Sequence, residues 1–93
     1  MNMNSQVNDL PAWTAQAAAW LDVRPILASG GEPLSAILET AATVGEGEVL
    51  VLDAPFNPVP LRLLLGGKGF EAHTTELAPD HWRLYFRRGA ASR

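Results

Sequence analysis

Four consecutive apolar residues, Val49-Leu50-Val51-Leu52, sit between Gly47 and Pro55 and constrain the fold more than any other segment. A strand with one wet face alternates apolar and polar side chains. An unbroken run predicts instead a strand, Glu48 to Asp53, buried largely on both sides. Apolar residues make up 47% of the 93-residue chain, enough for one core. That length is a single domain, near the lower limit for folding without disulfides or metal.

The neighbouring segments supply the rest of a sheet. Trp20-Leu21-Asp22-Val23-Arg24 alternates, which predicts a half-buried strand ended by Pro25. Ala28-Ser29-Gly30-Gly31 reads as a loop, and Pro33 suits a first helical position, where its missing N–H would have no partner. Leu34, Ile37, Leu38, Ala41 and Val44 follow at helical spacing, closed by Gly45 and Gly47. Asn57-Pro58 is a cap and first-turn pair for a second helix, marked by Leu61, Leu64 and Leu65 and stopped at Gly66-Gly67. Phe70 to Leu77 and His81 to Arg88 are strands of a hairpin turning at Ala78-Pro79-Asp80.

The order β-α-β-α-β-β, with right-handed crossovers, gives an α+β fold. It is a two-layer α/β sandwich: a mixed four-stranded sheet with two helices on one face and no helix on the other. Leu34, Ile37, Leu38, Leu61, Leu64, Leu65, Leu84 and Phe86 are expected to share the core. Met1 to Asn8 is Asn-rich and lacks an apolar period, and Leu10 to Ala19 is either a short helix or an arm packed on the body. The expected boundaries are a tail over 1–15, the domain over 16–89 and a second tail over 90–93.

Composition removes whole classes of chemistry. With no cysteine, thiolate nucleophiles, disulfides and thiolate metal sites are absent. Two histidines and scattered carboxylates are a poor zinc supply, so no metal and no cofactor is expected. A net charge of −3 gives no field toward nucleic acid or anionic lipid, and no apolar run approaches a membrane span. The polar start lacks the basic-then-apolar order of a signal peptide, which makes a cytoplasmic location the expectation. Gly66-Gly67-Lys68-Gly69 misses the P-loop spacing and follows a helix, so it reads as a helix C-cap. Neither Ser29 nor Ser35 has a histidine placed to activate it, and the glutamates are spread over loop, helix and turn. The chain is not expected to be an enzyme.

Three segments, Leu21-Asp22-Val23-Arg24, Glu32-Pro33-Leu34 and Gly47-Glu48-Val49-Leu50, resemble the TusA/SirA-like fold. The likeness is closer to a sister group, the domain of unknown function 2249 family. That group also shows Pro58-Val59-Pro60-Leu61, Gly69-Phe70-Glu71 and Trp82-Arg83, and the resemblance spans Trp20 to Arg88. The resemblance implies a sulfur-carrying Cys at the position of Gly30, followed by a proline at Gly31; no atom of Gly30 can hold a persulfide. The sister family often carries a His where Phe56 precedes Asn57. Its members occur alone or beside hemerythrin-like domains, which implies a setting in redox or nitrogen-oxide metabolism.

Two surfaces are candidates. The loops leaving both parallel strands emerge at one end of the sheet, where ligands of open α/β sheets bind and two helix N-termini point. Arg24, Gly30, Gly31, Glu32, Phe56 and Asn57 form that candidate ligand site. The uncovered face should present Trp20, His73, Arg83, Tyr85 and Arg87, a candidate contact for a partner protein, a second copy or unpaired bases. The reading is a non-catalytic binding or adaptor domain for a small anionic ligand or a protein partner. A nucleic-acid-binding sheet and an accessory subunit of an enzyme are the alternatives.

Overall fold

The computed structural model describes residues 10–15 and 17–89. A 3-10 turn, Ala12–Ala15, precedes β1 (Ala17–Asp22), α1 (Arg24–Ala28), α2 (Leu34–Ala42), β2 (Val49–Ala54), α3 (Val59–Gly67), β3 (Phe70–Ala78) and β4 (His81–Arg88). The sheet runs β1-β2-β4-β3. β1 and β2 are parallel, and the other two pairings are antiparallel. This is the mixed four-stranded α+β arrangement expected, with three α-helices among the described residues where two were expected.

The extra helix has a local cause. Pro25 does not end a strand; it sits in the first turn of α1, where proline needs no N–H partner. β1 therefore stops at Asp22, and Arg24, expected at the strand's end, instead opens a helix that runs to Ala28, the first residue of the expected loop. The helix closes on a two-glycine motif. Gly30 N–H donates to the Leu27 carbonyl and Gly31 N–H to that of Ile26, with Gly30 at φ +83°. Because an L side chain is strained in that region, Gly30→Ala is expected to cost about 1–2 kcal/mol in a urea melt.

β2 is buried along its whole length, as its composition demands. Leu50 and Leu52 face α2 and α3 and join Ile37, Ala41, Leu65, Leu84 and Phe86 in one cluster. Val49 and Val51 point the other way, away from every helix, yet are also fully buried. The residues flanking them in register are Ala17, Trp20, Tyr85 and Arg87, and the Leu10–Ala15 segment lies against these. Of the stretch Leu10 to Ala19, expected as a short helix or an arm, Leu10–Ala15 lies on the sheet and carries the 3-10 turn, whereas Ala17–Ala19 belong to β1 itself; residues 1–9, 16 and 90–93 lie outside the described residues.

Two expected core leucines are not in the core. Ile37 and Ala41 are one helical turn apart and define the buried line of α2, leaving Leu34 on its exposed first turn. In α3, Leu61 and Leu65 face inward, and Leu64 falls on the flank. Leu38 packs against the core but is only partly buried. Leu65→Ala should therefore cost about 2–5 kcal/mol and Leu38→Ala distinctly less; equal losses in parallel urea titrations would contradict this register.

The helix caps also differ from expectation. The α3 cap is Pro58 rather than Asn57, whose Oδ1 instead accepts a hydrogen bond from Arg62 Nη1 at 3.3 Å. The α2 cap is Pro33, and the Leu34 N–H donates to Glu32 Oε2 at 2.6 Å. α3 runs through both Gly66 and Gly67 before ending at Lys68. At the far end of α2, Arg88 reaches across from β4. Its Nε donates to the Val44 carbonyl and its Nη2 to that of Ala41, while the guanidinium lies 4.6 Å over Phe70.

Candidate functional site

The parallel pair and its two crossovers create a cleft at the carboxyl ends of β1 and β2. Leu52 and Ala54 form its floor, Val23 and Leu27 one wall, and Pro33, Leu34 and Ile37 another. Phe56, Pro58 and Leu61 close the far side, and among the described residues Glu32 is the sole charged one lining it. The cleft holds about 140 Å³. That is close to the roughly 150 Å³ of an apolar cavity that accepts benzene. Phe56 is 54% exposed at the rim, and Leu34, Val59 and Leu63 are exposed too. Val59 and Leu63 lie one turn apart on α3, on the side of the helix away from Leu61 and the cleft.

Of the six residues expected to bind a ligand here, Glu32 and Phe56 line the cleft; Arg24, Gly30, Gly31 and Asn57 do not. Arg24 Nε donates to Asp22 Oδ1 at 2.9 Å and Nη2 to Oδ2 at 2.8 Å, a bidentate fork. The Arg24 N–H also donates to Asp22 Oδ1, fixing the start of α1. Those bonds from Arg24 hold the Asp22 carboxyl down at about 2. Gly30 and Gly31 are accounted for by the end of α1, and Asn57 by Arg62.

Behind the cleft, on the helix-free side of the sheet, lies a charge cluster. Asp53 is only 8% exposed although it is charged. Its Oδ1 accepts from Arg83 Nε at 2.8 Å and lies 3.0 Å from His81 Nε2, and its Oδ2 accepts from Arg83 Nη2 at 3.3 Å. Burial pushes the Asp53 carboxyl up, but the bonds from Arg83 and His81 outweigh it and hold the group below its usual range. Trp20, His73, Arg83, Tyr85 and Arg87, the candidate contact residues, share this face. Arg83 lies 5.5 Å over the Trp20 ring, His73 is 6.3 Å from Tyr85, and Arg87 pairs with Glu71 and lies 4.9 Å over Trp13. Each arginine of the face is thus bonded to a carboxylate and covered by an indole.

With that geometry in place, comparison with known families is direct. Residues 20–88 match the family model described as "Uncharacterized conserved protein (DUF2249)". The chain belongs to this family. No curated protein and no solved structure matches. In this DUF2249 chain the family match begins at Trp20 and so leaves out the Leu10–Ala15 segment that covers the sheet. No helix among the described residues is long and apolar enough to cross a membrane.

Sequence reasoning on this DUF2249 domain passed over Asp53, which looked like the polar end of a strand. The signal was available: a carboxylate closing a fully apolar strand, with alternating His81 and Arg83 to follow, invites a cross-strand bond. It also read Leu34 as core, where the fold uses it as a cleft wall.

Proposed function

We propose that this domain is a non-catalytic binding module that receives an apolar side chain of a partner protein in the cleft between α1, α2 and α3. The supporting observation is the cleft itself, walled by ten apolar side chains of which Leu34 and Phe56 are exposed. Exposed apolar side chains clustered around a concave site mark an interaction surface rather than ordinary solvent-facing residues. Its volume suits one leucine, methionine or phenyl group. An anionic ligand has less support, because Arg24 is already paired and Glu32 is the charge that faces the opening. The nucleic-acid reading has less still, since Arg83 and Arg87 are neutralised by Asp53 and Glu71. A setting in redox or nitrogen-oxide metabolism rests on the resemblance alone.

Replacing Phe56 with the photo-crosslinker p-benzoylphenylalanine in the full chain tests this reading in cells. A single dominant protein adduct is expected, and Leu34→Asp should abolish it without unfolding the domain. Adducts that are unchanged by Leu34→Asp would show that the cleft does not select the partner.

A further inference from the structure

We propose that the partner's apolar anchor is flanked by a lysine or arginine, and that Glu32 is the residue of this domain that selects for it. This rests on the reading of the cleft as a seat for an apolar side chain and adds the partner's charge to it. Among the described residues, ten of the eleven that line the cleft are apolar, and the eleventh is Glu32. A side chain that enters the cleft therefore brings its neighbours in the partner's chain past a single ionised group.

That group is exposed, held in place and without a counter-ion. The ion pairs among the described residues join Arg24, His81, Arg83 and Arg87 to Asp22, Asp53 and Glu71, and none reaches Glu32. Glu32 Oε2 accepts the Leu34 N–H at 2.6 Å, which ties the carboxylate to the α2 wall of the cleft. Its Oε1 accepts no hydrogen bond from the described residues. A side chain already held in one place loses less rotamer freedom when it pairs than a free one does. The start of α2 offsets roughly half an elementary charge, so the rim stays negative.

The cations near this end of the sheet do not cancel that charge. Arg24 is forked on Asp22. Arg62 bonds to Asn57, does not line the cleft, and has its Nε buried. The net charge of −3 adds a field of the same sign at longer range. A cationic flank thus meets an open carboxylate oxygen, whereas an acidic flank meets Glu32 with no cation in the lining to offset it. Charge complementarity of this kind sets which partner is accepted more than how tightly.

The test is an NMR titration of the full chain with capped pentapeptides whose central leucine is flanked by lysines, glutamines or glutamates. At about 0.01 M ionic strength screening is weak. There the lysine peptide should bind about threefold more tightly than the glutamine peptide, and the glutamate peptide about threefold more weakly. Glu32→Gln keeps an oxygen for the Leu34 N–H and should abolish the preference for lysine. Glu48→Gln makes the same change in net charge at the opposite end of β2, where Glu48 also accepts one backbone N–H, and should keep the preference. Equal affinities for the three peptides, or a lysine preference that survives Glu32→Gln, would overturn the inference and leave the cleft reading standing. Failure of every leucine peptide to shift the Leu34 and Ile37 methyl groups would overturn both.

Discussion

Phe86→Ala is expected to lower stability by about 3–5 kcal/mol, the usual loss for a fully buried aromatic ring. Phe86 has no exposed surface and meets Phe70 edge-on at 6.5 Å. It stands in β4 between Leu50 of β2 and Ala72 of β3, so its ring packs where three strands meet the helices. A domain of this size has only about 5–15 kcal/mol in total. The variant should therefore be partly unfolded at 37 °C, with a urea midpoint far below wild type. Trp20→Ala is the control. Trp20 is a larger side chain but mostly solvent-exposed, and its loss should be within about 0.5 kcal/mol if the Leu10–Ala15 segment stays in place. Comparable losses for the two would mean that the helix-free face contributes as much to stability as the core.

The second large effect belongs to Asp53. Asp53→Ala leaves Arg83 and His81 without their shared acceptor, in a place where water reaches them only in part. Hydrogen bonds to a charged group contribute about 1.5–3 kcal/mol, and a loss in that range is expected at pH 7. The effect should vanish in acid. A carboxylate held below its unfolded value stabilises the fold at any pH above that unfolded value, about 3.9. The contribution then fades as pH falls toward the folded value. Asp22, held at about 2, fades over the same interval, but its exposed fork with Arg24 is screened and contributes much less. Urea midpoints for wild type and Asp53→Ala should thus draw together as pH falls below about 3.9. A gap that does not narrow below that pH would assign the loss to packing rather than to the ion cluster.

What could be read from the sequence was whatever a local pattern determines. The Val49–Leu52 run showed its burial on both sides because no alternation was there to suggest a wet face. The hairpin was legible because Trp82, Leu84 and Phe86 alternate with His81, Arg83, Tyr85 and Arg87, and those sets do face opposite ways. α1 was hidden because Pro25 is compatible both with a strand end and with a helical first turn, and only the Asp22 carboxylate on the Arg24 N–H decides between them. The candidate ligand site was half legible. Topology alone brings Glu32 and Phe56 to one end of the sheet. Whether Arg24 faces a ligand or Asp22 depends on side-chain geometry that spacing does not encode. The Leu10–Ala15 segment was legible only as a choice between short helix and arm, since the Trp13 and Arg87 that join it to the sheet are far apart in the chain.

The cleft's preference for an apolar group over an anion can be measured directly by methyl and amide NMR on the isotope-labelled full chain. The probes are short capped peptides with a central leucine, methionine or phenylalanine, matched peptides with serine there, and inorganic phosphate. The apolar peptides should shift the methyl groups of Leu27, Leu34, Ile37 and Leu61, and Ala54→Leu, which fills the floor, should abolish the response. Serine peptides and phosphate should leave those signals in place. Phosphate shifts at Arg24, Gly30 and Gly31, with no response to any apolar peptide, would contradict the account and return the site to an anion.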